Sequence, residues 1–382
     1  MTDQRLRELF DDLAGTLPEG SSRAGELWRQ GTRSRSRRRW TVAAAAMTVA
    51  ALVVVGIVVS PEPVERGITV YPSVTPTHTI PPAPVMDTAP PPSGEAALPA
   101  SATALPERWA GIPVVTAVSG PVLALAEFGD GRIYVMRADG RVPLEVKLGS
   151  AGNGGTPLKP NSLAPDGTMA AFPQKDEVVV VDLVIGRARR YPVPGHNEMV
   201  LWRGERLLVE QKEANYLLDL ATGRAQRQPY KGFAGVAGYR DLRIVSSDGG
   251  RTVVQEGGSE VELDVRGVTD EGGRPVGDHG WQRDGLVARS APAHHDLADR
   301  ADVVVVADTA TGRLVRTMLL PWGDSPGMRC GKGGCPVRGW ISPGTVIIES
   351  GDRLLGWNVG TGALSRVADL SDDVTAYSLR SG

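Results

Sequence analysis

The chain has 382 residues and a formal net charge of −2 at pH 7, a balance that speaks against a general nucleic-acid binder. Six lysines stand against thirty-six arginines, and alanine, glycine and valine abound, a bias typical of a bacterial genome of high G+C content. Both cysteines lie in the last fifth of the chain, which fits a disulfide in an oxidising compartment.

Residues 1–39 read as a cytoplasmic tail. Leu6, Leu9, Phe10, Leu13 and Leu17 fall on one helical face, with Thr2 or Asp3 as the cap and Pro18, Glu19 and Gly20 as the stop. A second short turn from Ser22 holds Leu27 and Trp28 towards the inner leaflet. Such helices either dock a cytoplasmic partner, through residues 1–32, or lie on lipid headgroups.

Residues 40–59 are apolar or small, and at about 1.5 Å per residue they span roughly 30 Å, the thickness of a bilayer core. The pattern predicts a single transmembrane helix. Arg33, Arg35, Arg37, Arg38 and Arg39 crowd one flank while Pro61, Glu62 and Glu65 lie on the other, so the N-terminus is cytoplasmic and the rest extracytoplasmic. A cleaved signal peptide ending at Ser60 is the rival reading, opposed by Pro61 and by the long charged lead. Ser36 to Trp40 also looks like a degenerate twin-arginine export signal, with Trp40 where that motif prefers Phe; plain positive-inside arginines are the simpler reading.

The layout of tail and anchor over the first sixty residues resembles that of membrane-bound anti-sigma factors and of membrane proteins that accompany extracytoplasmic-function sigma factors. The resemblance implies transmembrane signalling through the tail. The zinc-binding class of those factors uses a His and paired Cys in the cytoplasmic part, and this tail has neither.

Residues 60–108 shift to Pro, Thr, Ser and Ala, densest at Pro81, Pro82, Pro84 and Pro90 to Pro92. That composition predicts a disordered, polyproline-biased linker that lifts the following domain off the membrane. Thr75, Thr77 and Thr79 offer positions for O-linked sugars.

From Trp109 to Gly382 short apolar runs alternate with turn residues such as Asp139-Gly140, Asp166-Gly167 and Asp284-Gly285, so the domain 109–382 is expected to be all-β. The runs repeat. Leu163, Trp202, Tyr239, Trp281 and Trp340 each stand five residues ahead of a strand-like run. Gly140, Gly186, Gly223, Gly267, Gly312 and Gly362 follow at intervals of 46, 37, 44, 45 and 50 residues. A period near 44 with about four strands per unit is the spacing of propeller blades. Six blades are expected, with Val374 to Leu379 either adding a seventh or closing the ring against a strand within Val114 to Phe128.

Ala164-Pro165-Asp166-Gly167-Thr168-Met169 resembles the strand start of TolB-like and WD40-like propellers, and Leu218-Asp219-Leu220-Ala221-Thr222-Gly223-Arg224 is similar to junctions of quinoprotein-like propellers. The resemblance implies a β-propeller and carries no ligand with it.

Two stretches depart from the repeat. His294, His295, Asp296, Asp299 and Asp302 offer cation ligands, but neighbours in one loop rarely converge on a metal, and a solvated hairpin tip is the plainer reading. Cys330 and Cys335 enclose a glycine-rich loop short enough for the sulfurs to meet, so a disulfide is expected rather than a metal site. No phosphate loop, zinc-protease helix or nucleophile elbow occurs, and no catalytic, cofactor or metal residue is assigned. The sequence thus points to an extracytoplasmic, membrane-anchored binding module for a protein, peptide or glycan at the cell surface. A hydrolase with carboxylates at a channel mouth and an anti-sigma-like signalling protein are the alternatives.

Overall fold

The computed structural model describes residues 84–381 apart from 117–119, 247–250, 270–279, 299, 324–328 and 331–333. The predicted tail with its five flanking arginines at 33–39, the predicted membrane helix 40–59 and the first part of the linker lie outside the described residues. Among the described residues no helix is long and apolar enough to cross a membrane.

The fold is all-β, with one short 3-10 helix among the described residues, at Pro92–Ala97. Strand β1 (Val85–Thr88) precedes that helix, and β2 (Ala124–Phe128), β3 (Ile133–Arg137) and β4 (Gly140–Pro143) form a first antiparallel sheet. A second sheet holds β5 (Met169–Asp182) and β6 (Arg187–His196). A third comprises β7 (Met199–Arg203), β8 (Arg206–Glu210), β9 (Tyr216–Asp219) and β10 (Ala225–Arg227), and a fourth β11 (Leu242–Ser246), β12 (Thr252–Glu256) and β13 (Ser259–Glu262). The fifth is built from β14 (Trp281–Arg283), β15 (Leu286–Pro292), β16 (Ala301–Asp308) and β17 (Leu314–Pro321). The sixth contains β18 (Val337–Ser342), β19 (Thr345–Ser350), β20 (Arg353–Asn358) and β21 (Leu364–Asp369), after which β22 (Val374–Leu379) returns to the first.

Apolar side chains from each sheet pack on the next, which turns the sheets into a ring. Leu125 and Val135 of the first meet Phe172 and Val179 of the second; Val178 and Tyr191 meet Trp202 and Leu207 of the third. Leu201 and Leu208 then join Ala237 beside the fourth, whose Val254 and Leu263 contact Val287 and Val303 of the fifth. Trp281 and Val304 abut Trp340 and Val346, and Ile347 and Leu354 of the sixth reach Ala124 and Tyr377 of the first. A sheet cannot bury both faces alone, and the ring solves this for every member.

Among the described residues five of the sheets hold three or more strands and are propeller blades, one fewer than the spacing predicts; the second holds only two. Its long strand doubles back, since Asp176 takes φ 62° and the Leu183 amide bonds the Thr168 carbonyl at 2.8 Å. Its inner segment is reduced to a single bridge between Leu163 and Ala170. The Ser162 amide turns back to the Lys159 carbonyl at 2.9 Å and Pro160 supplies no N–H, so the ladder ends there. Val374 to Leu379 adds no seventh blade: β22 pairs antiparallel with β2 from Ala124 opposite Leu379 to Glu127 opposite Ala376. The ring is therefore closed by its two chain ends.

The predicted anchors act as rivets between sheets. Trp202 Nε1 donates to the Ser162 carbonyl at 3.1 Å, Trp281 Nε1 to Val337 at 2.9 Å and Trp340 Nε1 to Trp281 at 3.0 Å. The Asp and Asn residues of the glycine turns are caps. Asp182 accepts the amides of Val184 and Ile185, Asp308 those of Ala310 and Thr311, and Asn358 that of Thr361.

The linker expectation fails over residues 84–108, which are folded onto the ring. β1 pairs parallel with β17, Asp87 forms an ion pair with Arg316 at 2.6 Å and accepts Trp357 Nε1 at 2.9 Å. Glu95, fully buried, sits against the equally buried Arg329 at 2.6 Å, and Trp109 is wholly enclosed. Proline composition misleads here because the segment is held by backbone pairing to an edge and by a few anchors, and neither needs apolar density. Gly362, at φ +79°, passes so close that an added Cβ would strike Asp87.

Cys330 and Cys335 are bonded to each other, as expected. The ring they close is short, so breaking it should cost only about 2 kcal/mol of chain entropy. Melting the protein with and without reductant is expected to show one cooperative transition in both, displaced downwards by a few degrees in the reduced sample.

Candidate functional site

On the side of the ring that carries the turns around Gly167, Gly186, Gly204 and Gly223, a cleft of about 630 Å³ opens between the second and third sheets. Alternation along β6 explains its walls. Arg187, Arg189, Tyr191 and Val193 share one face; Tyr191 and Val193 are buried against the third sheet, and the two arginines emerge beyond that core into the cleft.

The floor is apolar. Met169, Val180, Tyr191, Trp202 and Leu220 line it, and the polar tips of its aromatics are already committed: Tyr191 Oη donates to the Leu220 carbonyl at 3.0 Å and Trp202 Nε1 to Ser162. Ile185 and Tyr239 stand on the rim at 68% and 70% exposure, values that set them apart from the buried floor. Asp166 is spent on the Thr168 amide and hydroxyl, and Asp182 on its own turn. Glu205 supplies an acidic group on the opposite wall. Arg187 and Arg189 have no partner among the described residues.

Tyr239 breaks the anchor pattern. Leu163, Trp202, Trp281 and Trp340 are at most 6% exposed, whereas Tyr239 projects into solvent. The Trp202 carbonyl accepts Arg203 Nη1 at 3.0 Å, and Arg203 also bonds the Gly238 carbonyl. The buried arginine thus bridges the third sheet to the residue beside Tyr239. Burial holds the Arg203 guanidinium below its ordinary pKa, with Asp241 and Glu210 pulling it back up.

The departures from the repeat fare differently. His294, His295 and Asp296 share an exposed hairpin tip. Asp302 is not with them: it lies buried in β16 facing the disulfide, with Oδ2 3.6 Å from Cys335 Sγ. The bonded sulfurs are unavailable as ligands, and Asp299 lies outside the described residues. Burial pushes the Asp302 carboxyl up to about 6, with the Trp322 N–H and the Arg329 charge opposing. A disulfide sulfur has no proton to give, so a hydrogen bond there must come from protonated Asp302. Because the folded pKa lies above the unfolded one, this group costs stability as pH rises from 4 to 6. Asp302→Asn is expected to match the parent near pH 4 and to exceed it by about 2 to 3 kcal/mol above pH 7 in urea titrations. Equal stabilities across that range would contradict the assignment.

A smaller cleft, near 420 Å³, contains Glu349, Arg338 and Tyr377 from the sixth and first sheets. Glu349 is committed to Arg338 at 2.6 Å and to the Tyr377 hydroxyl. Burial raises the phenol well above its ordinary pKa.

Sequence reasoning recognised Tyr239 only as a strand anchor and missed the cleft. The signal was present in Arg187-Ala188-Arg189-Arg190, a cationic run on an outer strand.

No protein-family model and no curated protein matches the sequence. Among solved structures the chain is similar to hydrazine synthase from Kuenenia stuttgartiensis, at 11% identity over 56% of this chain and 59% of that one, with a TM-score of 0.32. It is also similar to BamB from Moraxella catarrhalis (13%, 69% and 76%, TM-score 0.36) and to the dihydro-heme d1 dehydrogenase NirN (15%, 72% and 79%, TM-score 0.33). The fold is a β-propeller. The chain spans under two thirds of the hydrazine synthase chain, and at these values the likeness says nothing of activity.

Proposed function

We propose that the propeller is an interaction module whose protein or peptide ligand seats in the cleft between the second and third sheets. In this reading the helix at 40–59 anchors it and displays it outside the cell. The observation that carries the reading is Tyr239, the one repeat anchor turned outwards, beside an apolar floor and two arginines without a partner among the described residues. An aromatic rim residue over an apolar pocket is the usual centre of a binding hot spot. Membrane display is supported by the apolar run and the arginine flank, and an interaction role by the propeller fold.

A photo-crosslinking residue at position 239, activated on intact cells, should yield one discrete adduct, while the same residue at the exposed Val315 yields none. Equal labelling at both positions, or none at either, would overturn the cleft as the site. Protease added to intact protoplasts should remove the propeller and spare residues 1–39; survival of the propeller would overturn the topology.

A further inference from the structure

The outer edges of the ring are not treated alike. From Val85 to Val114 the chain runs round the outside as a belt. It pairs parallel with β17 from Val85 opposite Arg316 to Thr88 opposite Leu319. Single parallel bridges follow, Ala100 and Arg108 to Arg366 and Asp369 of the sixth sheet and Val114 to Arg141 of the first. In each case the belt adds to the outermost strand. This ring therefore accepts extended chain in parallel register along its blade edges.

Beyond β6, β10 and β13 no strand is added among the described residues. β10 has three residues, and β13 carries Glu260 and Glu262. β6 is ten residues long, borders the cleft, and exposes Arg187, Ala188, Arg189 and Arg190 in succession. An open edge of unpaired amides and carbonyls is a template for another strand.

We propose that the edge of β6 over residues 187–191 takes an extended acidic segment of a partner protein as an added parallel strand, an inference that rests on the cleft reading above. Backbone parity defines the site. Prolines inside a ladder sit where the missing N–H faces away from the partner strand. Pro192, opposite Glu177 in the ladder, thus marks the even-numbered residues of β6 over 187–192 as facing outwards. Ala188 and Arg190 then offer their N–H and C=O groups to the open edge, and Pro192 ends the site. That stretch is about the length of β1, whose four residues suffice for the belt on β17. Charge defines the occupant. Arg187 and Arg189 flank the cleft side of the added strand with no partner among the described residues, while Arg190 on the other face is already paired with Glu177 and bonds the Lys147 carbonyl. Carboxylates at alternate positions of the incoming strand meet the two free guanidinium groups.

The probe is a fluorescein-labelled peptide of three Glu-Val repeats, read by anisotropy against the full-length protein, with a Lys-Val peptide as comparator. The Glu-Val peptide is expected to bind, and to weaken by about tenfold or more between roughly 0.05 and 0.5 M salt, since the pairing is exposed and screened. Arg187→Glu with Arg189→Glu should weaken it by at least about tenfold, reversing the charge match. Ala188→Pro is the sharper test, because it removes one outward amide and blocks the edge without touching any charge. It too should weaken binding by about tenfold or more with the melting temperature unchanged. Absence of binding, equal binding of the Lys-Val peptide, or full affinity in Ala188→Pro would overturn the proposal and leave the arginines as guards of a free edge. If Tyr239→Ala abolishes binding and Ala188→Pro does not, the cleft stands and the strand pairing falls. The reverse pattern upholds the strand pairing and removes the cleft from the ligand's path.

Discussion

A chain ending at Leu370 is expected to lose the cooperative fold of the ring and not merely its last strand. The cut removes β22 from β2, whose Ala124, Leu125 and Ala126 are completely buried. It also takes Tyr377 and Leu379 out of the contact between the first and sixth sheets. Ser378 goes with them, and its hydroxyl both accepts the Leu163 amide at 2.9 Å and donates to the Pro160 carbonyl at 2.8 Å, tying the first sheet to the second. Burying a large apolar side chain is worth about 1.5 to 3 kcal/mol. Loss of the two side chains, the strand ladder and this tie therefore comes to about 5 kcal/mol or more, the order of a whole domain's stability. Circular dichroism on heating should show no sharp transition, or one lowered by at least about 15 °C. A truncated protein melting where the intact one does would show that the ring does not depend on β22 for closure.

Replacing Arg329 by alanine should cost about 3 to 5 kcal/mol, because it strands a buried carboxylate. Arg329 donates to Glu95 Oε1 through Nη2 at 2.6 Å and Nε at 3.1 Å, to Ser350 Oγ at 3.0 Å, and to the carbonyls of Pro321 and Pro90. Without it Glu95, wholly buried, keeps the Ser350 hydroxyl at 2.6 Å and the more distant Arg353 at 3.6 Å. Glu95→Leu combined with Arg329→Leu should cost clearly less than Arg329→Ala, since no charge is then left unpaired. The residues lie 234 apart in sequence, and the pair clamps the belt to the ring. Urea titration decides it: a deficit below about 1 kcal/mol for Arg329→Ala would mean that the pair does not hold the belt.

What the sequence determined by itself is what depends on near neighbours. The Asp and Gly residues set the turns because the carboxylate and the amides it caps are two or three residues apart. The Trp and Leu anchors mark inner segments because their spacing to the next strand is constant, and Cys330 finds Cys335 because so little chain separates them. These local signals were enough for an all-β propeller closed by β22. Only the tertiary structure decided which contacts form across hundreds of residues. The belt pairs through backbone groups that every residue except proline carries alike, so composition reads it as unfolded chain. Glu95 and Arg329 look like two solvated charges until the fold buries them together. Pro160 looks like an ordinary turn residue, yet beside it the Ser162 amide bonds the Lys159 carbonyl and the inner segment of the second sheet stays a single bridge. Tyr239 is indistinguishable in spacing from Trp202 and Trp281. Only the fold shows that it stands 70% exposed on the rim of the cleft, where Arg203 and not an anchor side chain bonds the Trp202 and Gly238 carbonyls.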